Sequence, residues 1–121
     1  MGVQKRSLDQ PDERRTPAKT TMDLVSIGGT NFARARFEPG WRWSECVKPV
    51  VGGERCQVHH IGYAIAGRIH IVPDSGEPTE IAAGDAFDIA PGHDGWVVGN
   101  EPYVSIELSG SEITYAKAAG A

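Results

Sequence analysis

The chain has no apolar run approaching the ~20 residues of a membrane-spanning helix, so neither a helical span nor a membrane partner is expected. Its two cysteines, Cys46 and Cys56, form no Cys-x-x-Cys pair and do not make a disulfide scaffold. Basic residues are in deficit, 12 against 16 acidic, and the formal charge of -4 argues against a nucleic-acid surface. The start, "MGVQKRSLDQPDERRTPAKTT", lacks the apolar stretch of a secretory signal, so a cytoplasmic location with both thiols free is expected. No helical period is sustained long enough for an α/β layer, and no internal repeat or low-complexity block is present.

What is abundant is turn chemistry. Fifteen glycines and eight prolines in 121 residues favour many short elements within one domain. Residues 1–21 are polar and without apolar periodicity, and are expected to form a disordered or arm-like segment. From Asp23 the text reads strand, turn, strand. "DLVSI" ends at Gly28-Gly29, and "NFARARF" alternates Phe32, Arg34 and Arg36 against Ala33, Ala35 and Phe37. "WRWSECV" sets Trp41, Trp43, Glu45 and Val47 on one side if it too is a strand. A long strand is expected from about Arg55 to Ala66, closing a hairpin with "RIHIV" at Gly67. Two short strands flank Gly84-Asp85, a loop follows at Pro91 to Gly95, and "YVSIELS" is the last clear strand. "EITYAKAAGA" reads as one more strand or a frayed helical turn. At least eight short strands at such spacing predict an all-β barrel or sandwich over residues 22–115, with 116–121 a frayed tail.

Within the long strand two histidines stand side by side, "ERCQVHHIGYAIAG". Consecutive strand residues point to opposite faces, so only one of them lines an interior. Glu54, Cys56, Val58 and His60 share one face, while His59 shares the other with Gln57, Ile61, Tyr63 and Ile65. Glu54 is the least secure member of its set, since a bulge at "GGE" would shift the register.

The stretches Gly53–Gly67 and Gly84–Gly95 resemble the two motifs of the cupin superfamily, small jelly-roll barrels with a pocket at one end. Gly84-Asp85 and the "APGHDG" turn carry the likeness in the second motif, and the spacing to Gly67 carries it in the first. The resemblance implies an all-β double-stranded β-helix, with the Cys56 and His60 face as the barrel interior, and homodimers as the common assembly. Counting back seven from Gly67 places His60 where the family's glutamate stands, and Cys56 and Glu54 where its two histidines stand. In the second motif Gly95 takes the usual histidine position, with His93 two residues earlier. None of the four usual ligands is in its usual place.

The residues that are present still support chemistry. Cys56, His60 and His93 form a plausible three-ligand set, with Glu54 or Cys46 as a fourth, and thiolate beside imidazole favours Zn²⁺ over Mg²⁺ or Ca²⁺. As packing, Cys56 would be a small buried apolar side chain and His60 a neutral interior histidine. Cys46 could face Cys56 across adjacent strands. Trp43 and Trp96 can wall a pocket for a small, partly aromatic or polyketide-like molecule, although core packing is the commoner fate of tryptophan. His60 could move a proton, oriented by Glu54 or Glu107, with His93-Asp94 at the mouth or capping its own loop. His70 is expected on a solvent face with Arg68 and without a role. Three readings therefore stand: a binding or sensing domain, a metal-dependent enzyme, and a metal-free acid/base isomerase, dehydratase or cyclase centred on His60.

Overall fold

The computed structural model describes residues 2–108. Among them are nine strands: β1 (Glu13–Arg15), β2 (Thr20–Ile27), β3 (Thr30–Phe37), β4 (His60–Ala66), β5 (Arg68–Pro73), β6 (Thr79–Ala82), β7 (Ala86–Ile89), β8 (His93–Val97) and β9 (Tyr103–Leu108). Two single-turn helices, α1 (Trp43–Cys46) and α2 (Lys48–Val51), lie between β3 and β4. The strands form two antiparallel sheets, ordered β1-β2-β3-β9-β4-β7 and β6-β5-β8. After β4 the chain passes to the smaller sheet, back for β7, out again for β8 and back for β9, which is the winding of a roll.

Alternation decides what faces inward. On β3, Ala33, Ala35 and Phe37 are buried while Arg36 is exposed, and on β5 Ile69 and Ile71 are buried while Arg68 is exposed. Tyr103, Ser105 and Glu107 are the inward residues of β9. Phe37 stacks on Trp41 at 4.0 Å between ring centroids, and Trp41 donates its indole N–H to Thr20 Oγ1 at 2.9 Å.

Three expectations about elements need correction. Residues 2–21, expected as an arm, carry β1 and pack against the sheet of their own chain. Asp12 N donates to the Leu24 carbonyl at 2.8 Å, and Arg34 reaches both the Leu8 carbonyl at 3.2 Å and Asp9 at 3.0 Å. That cover is why four consecutive β2 residues, Met22 to Val25, are all buried instead of alternating. Arg14 and Arg34 pair with the buried Asp23 at 2.6 and 3.0 Å, which compensates its lost hydration.

The segment "WSECVKPVV" is helical, not a strand. Trp43, Cys46 and Val47 are buried at helical spacing while Glu45 is exposed. The Ser44 amide in its first turn is met by Asp94 Oδ1 at 3.3 Å, an acceptor fifty residues away that no local pattern displays. Finally, β4 begins only at His60. Cys56 is held apart from it by an isolated antiparallel bridge to His93, and β8 opens at His93 inside the stretch expected as a loop. The "EITYAKAAGA" tail lies outside the described residues.

One glycine ties fold to site. Gly62 on β4 is the register partner of both Phe87 and Glu107, and a Cβ there would run into the Ile106 carbonyl and come within 2.9 Å of the Phe87 ring. Gly62→Ala is expected to destabilise the protein by about 1–3 kcal/mol, measured by urea denaturation, because β4 and β9 must part to admit a methyl group. An unchanged midpoint would show that the strands have slack.

Candidate functional site

Sites built on two strands and a bridge inherit their geometry from the backbone. His60 is the first residue of β4 and points inward; His59, one residue earlier, points out and meets Asp88 at 2.5 Å. The inward choice expected from alternation is the one observed. Glu107 stands on the neighbouring β9, and His60 Nδ1 donates to its Oε1, which turns Nε2 towards Cys56 Sγ at 3.5 Å. His93 belongs to β8, and its Nδ1 donates to the Ala90 carbonyl at 2.8 Å, leaving its own Nε2 for the site. Its ring lies edge-on to that of His60, with centroids 5.2 Å apart.

The backbone bridge brings the remaining donor. Cys56 N donates to the His93 carbonyl at 2.8 Å, and the Cys56 carbonyl accepts from Gly92 N at 2.7 Å and His93 N at 3.2 Å. Ligand atoms of Cys56, His60 and His93 consequently all lie within 4.8 Å of one another, and all three residues are buried. Zinc bond lengths place tetrahedral ligand atoms roughly 3.3–3.6 Å apart. The Cys56–His60 pair already has that separation. The donor set, the ring orientations and a spacing of no more than 4.8 Å fit a divalent ion.

Electrostatics follow from the same contacts. Burial works against charge on His60, but the Glu107 carboxylate and the Cys56 thiol outweigh it and its pKa is pushed up to about 10. Burial likewise raises the Cys56 thiol, yet hydrogen bonds and charge from His60 and His93 bring it down to about 7. Together the pair holds a thiolate beside an imidazolium.

Beside these groups is a cavity of about 30 Å³ lined by aromatic rings of Phe37, Trp41, Trp43 and Tyr103, by Ile69, Ile71, Phe87 and Ile89, and by His60, His93 and Glu107. That is room for a water molecule or two as the side chains stand, since one water needs roughly 10–15 Å³ by this measure. Trp43, one of the lining residues, has its indole Nε1 buried without an acceptor among the described residues.

Comparison with solved structures gives a consistent answer. The chain superposes on an RmlC-like cupin from Shewanella frigidimarina with a TM-score of 0.58 at 16% identity, covering 88% of this chain and 89% of that one. A Cupin 2 conserved barrel domain protein from Salinispora arenicola gives 0.59 at 20%, covering 89% and 88%. KdgF from Halomonas sp. gives 0.58 at 17%, covering 89% and 92%. No family model and no curated protein matches.

The chain has the cupin fold. Cys56 and His60 stand together with His93 in the interior, and Trp43 and Glu107 line the cavity. Other assignments do not hold. Glu54 is not beside His60: its side chain is 89% exposed and pairs with Lys48 at 3.2 Å, because the chain leaves the strand period before Cys56. The orienting carboxylate is Glu107. Cys46 is buried on the inner face of α1, outside both the ligand group and the cavity lining, since that segment is helical. Trp96 faces the other way, between the Arg42 guanidinium at 4.1 Å and the His70 ring at 4.8 Å. His70 shares the outer face of β5 with Arg68, where it is half-buried against Trp96. Asp94 binds the Ser44 and Gly95 amides and so caps its surroundings. The Ala90 carbonyl behind His93 and the rings of Phe37 and Tyr103 were not singled out by sequence; backbone acceptors carry no residue signature.

In metal-free protein the thiolate absorbance lost in Cys56→Ser is expected to titrate with a midpoint near pH 7, against about 8.5 for an ordinary thiol. The depressed thiol stabilises the fold above its unfolded pKa, and that contribution is lost as pH falls through about 7; the raised imidazole stabilises below its unfolded pKa, and its contribution is lost as pH rises through about 10. Glu107→Gln moves the thiol midpoint upward. A midpoint that ignores Glu107 would show that the His60 imidazolium, which Glu107 supports, is not what lowers the thiol.

Proposed function

We propose that this cupin-fold chain holds a divalent cation, zinc by its donor set, on Cys56, His60 and His93, and receives the tip of a small molecule in the adjoining cavity. The convergence of three buried donors, both imidazoles already turned by a partner outside the set, carries the reading. Glu107 fixes the tautomer of His60 and the Ala90 carbonyl that of His93, so both Nε2 atoms are available without rotation. Bound there, the ion would supply Lewis acidity towards an oxygen of the small molecule. Trp43 offers its free indole N–H to the same group, and the surrounding rings keep bulk water away. Two free thiols suit a reducing compartment, in keeping with a cytoplasmic protein.

A second reading is supported by the contact of His60 with Cys56 on one side and Glu107 on the other. Without a metal, this row can pass a proton to a ligand in the cavity, the acid/base chemistry of an isomerase or dehydratase.

Metal analysis decides between them. Protein purified without chelator is expected to carry on the order of one zinc ion per chain, lost in Cys56→Ala and in His93→Ala. Glu54→Gln retains it, and Glu107→Gln weakens binding roughly 10–100-fold through the freed imidazole. Protein that takes up no zinc, or keeps it in Cys56→Ala, would falsify the metal reading and leave the proton relay.

A further inference from the structure

The inner cavity of about 30 Å³ admits only a group the size of a water molecule or two, such as a hydroxyl. A small molecule whose tip enters there must keep its body elsewhere. Beside it lies a groove of about 520 Å³, within the size range of small-molecule sites. It runs between β6 and β7, each the end strand of its sheet among the described residues. Ile71, Phe87 and Ile89 line both spaces, so these three side chains are the wall between them.

The ladders bring the groove up to the donors. Ile89 is the register partner of His60 and Pro73 that of His93, and both line the groove. Ala90, also in its lining, offers the carbonyl that accepts from His93 Nδ1. The groove therefore abuts both imidazoles. Across its wall is the cavity lined by Trp43, whose indole N–H is buried without an acceptor among the described residues.

The charged lining has one sign. Glu77, Glu80, Asp85 and Asp88 stand around the groove, and no lysine, arginine or histidine lines it. Glu80 and Asp88 are partly answered from outside, by Arg68 at 3.7 Å and His59 at 2.5 Å. Asp85 accepts the Ala82 amide, and among the described residues neither it nor Glu77 forms an ion pair. Carboxylates along an apolar cleft focus a negative potential that attracts a cation and repels an anion. Between them, Ile71, Ile81 and Phe87 ask for a hydrocarbon.

We propose that the groove between β6 and β7 holds the body of the ligand, a small amphipathic amine: its apolar middle lies on Ile81 and Phe87, its ammonium among the carboxylates, and its oxygen-bearing tip passes Ile71 into the cavity. For the tip alone this rests on the metal and cavity reading above.

Chemical-shift titration of the isotope-labelled full chain, with zinc and after its removal, tests this. The probes are aminohexanol, hexanediol and hydroxyhexanoate, straight chains of one length with a hydroxyl at one end. The other end is an ammonium, a second hydroxyl or a carboxylate. Aminohexanol is expected to bind with a dissociation constant of about 1–10 mM, as suits so small a fragment. It should bind roughly 5–10-fold more tightly than hexanediol, and that preference should fade between roughly 20 and 500 mM salt. Thr79 is the register partner of Ile71 and is exposed in the groove, so Thr79→Trp fills it and should abolish binding. Glu77→Lys combined with Glu80→Lys, both at exposed positions, should turn the preference towards hydroxyhexanoate while circular dichroism is unchanged. Equal or tighter binding of hexanediol, no binding of aminohexanol at about 50 mM, or binding that survives Thr79→Trp overturns the proposal. Zinc content is read on the same samples. A chain that takes up no zinc but prefers the amine loses the metal reading alone; one that holds zinc without the preference loses this proposal alone.

Discussion

An imidazole is buried here between a thiol and a carboxylate, and the interior of the barrel is organised around that row. His60, Cys56 and Glu107 are each exposed by 5% or less, a degree of burial at which an isolated ion would cost several kcal/mol. Mutual hydrogen bonding makes it tolerable. Remove Glu107 and His60 loses its orientation; remove His60 and two acidic groups face each other without a cation. The row is thus a unit, and its members cannot be exchanged independently.

The scaffold supplies the positions by two different devices. Between β4 and β9 the ladder does it: the absence of a side chain at Gly62 brings these strands close enough for Glu107 to stand behind His60. Between Cys56 and His93 a single bridge does it, pinning a non-strand segment to the start of β8. Cys56 therefore reaches the interior not by the strand alternation that places His60 but by being tethered to the residue that becomes its neighbour in the site. This explains why its inward direction agrees with period two although residues 57–59 belong to no strand.

That distinction also separates what was legible from what was not. Strong alternation in "NFARARF", "RIHIV" and "YVSIELS", with glycine turns between, was enough for the all-β roll and for the inward face of β4. The spacing back from Gly67 was enough for His60 and Cys56. What failed depended on contacts remote in sequence. Trp41 to Val51 shows both strand and helix spacing of its apolar residues, and the outcome is settled by Asp94 reaching across to the first helical turn. As a flat apolar ring, Trp96 suits a pocket wall, whereas its register partners, Arg42 and His70, take it to the outer surface. Glu54 was placed by extending a strand period past the point where the strand exists. The cover of β2 by residues 2–12 rests on Arg34 reaching Asp9 and the Leu8 carbonyl, on Arg6 reaching the Ser26 carbonyl, and on Asp12 bonding the backbone of Leu24 and Ser26, none of which leaves a periodic trace.

Charge balance gives the departures from the usual cupin ligand pattern a coherent sense. Without an ion, and between about pH 7 and 10, the row holds a thiolate and a carboxylate against one imidazolium, so it is left with one uncompensated negative charge in a buried place. Below pH 7 a second proton on sulfur removes it. A dication held on Cys56, His60 and His93, as proposed, would do the same at neutral pH: two positive charges would meet one thiolate and one carboxylate, with both histidines neutral and no net charge on the buried group. Three neutral histidines with one carboxylate leave a dication with a net positive charge. With thiolate in place of one imidazole among the donors, and the carboxylate behind a histidine, a dication on this group would leave the interior neutral, and the cavity beside Trp43 adjoins it.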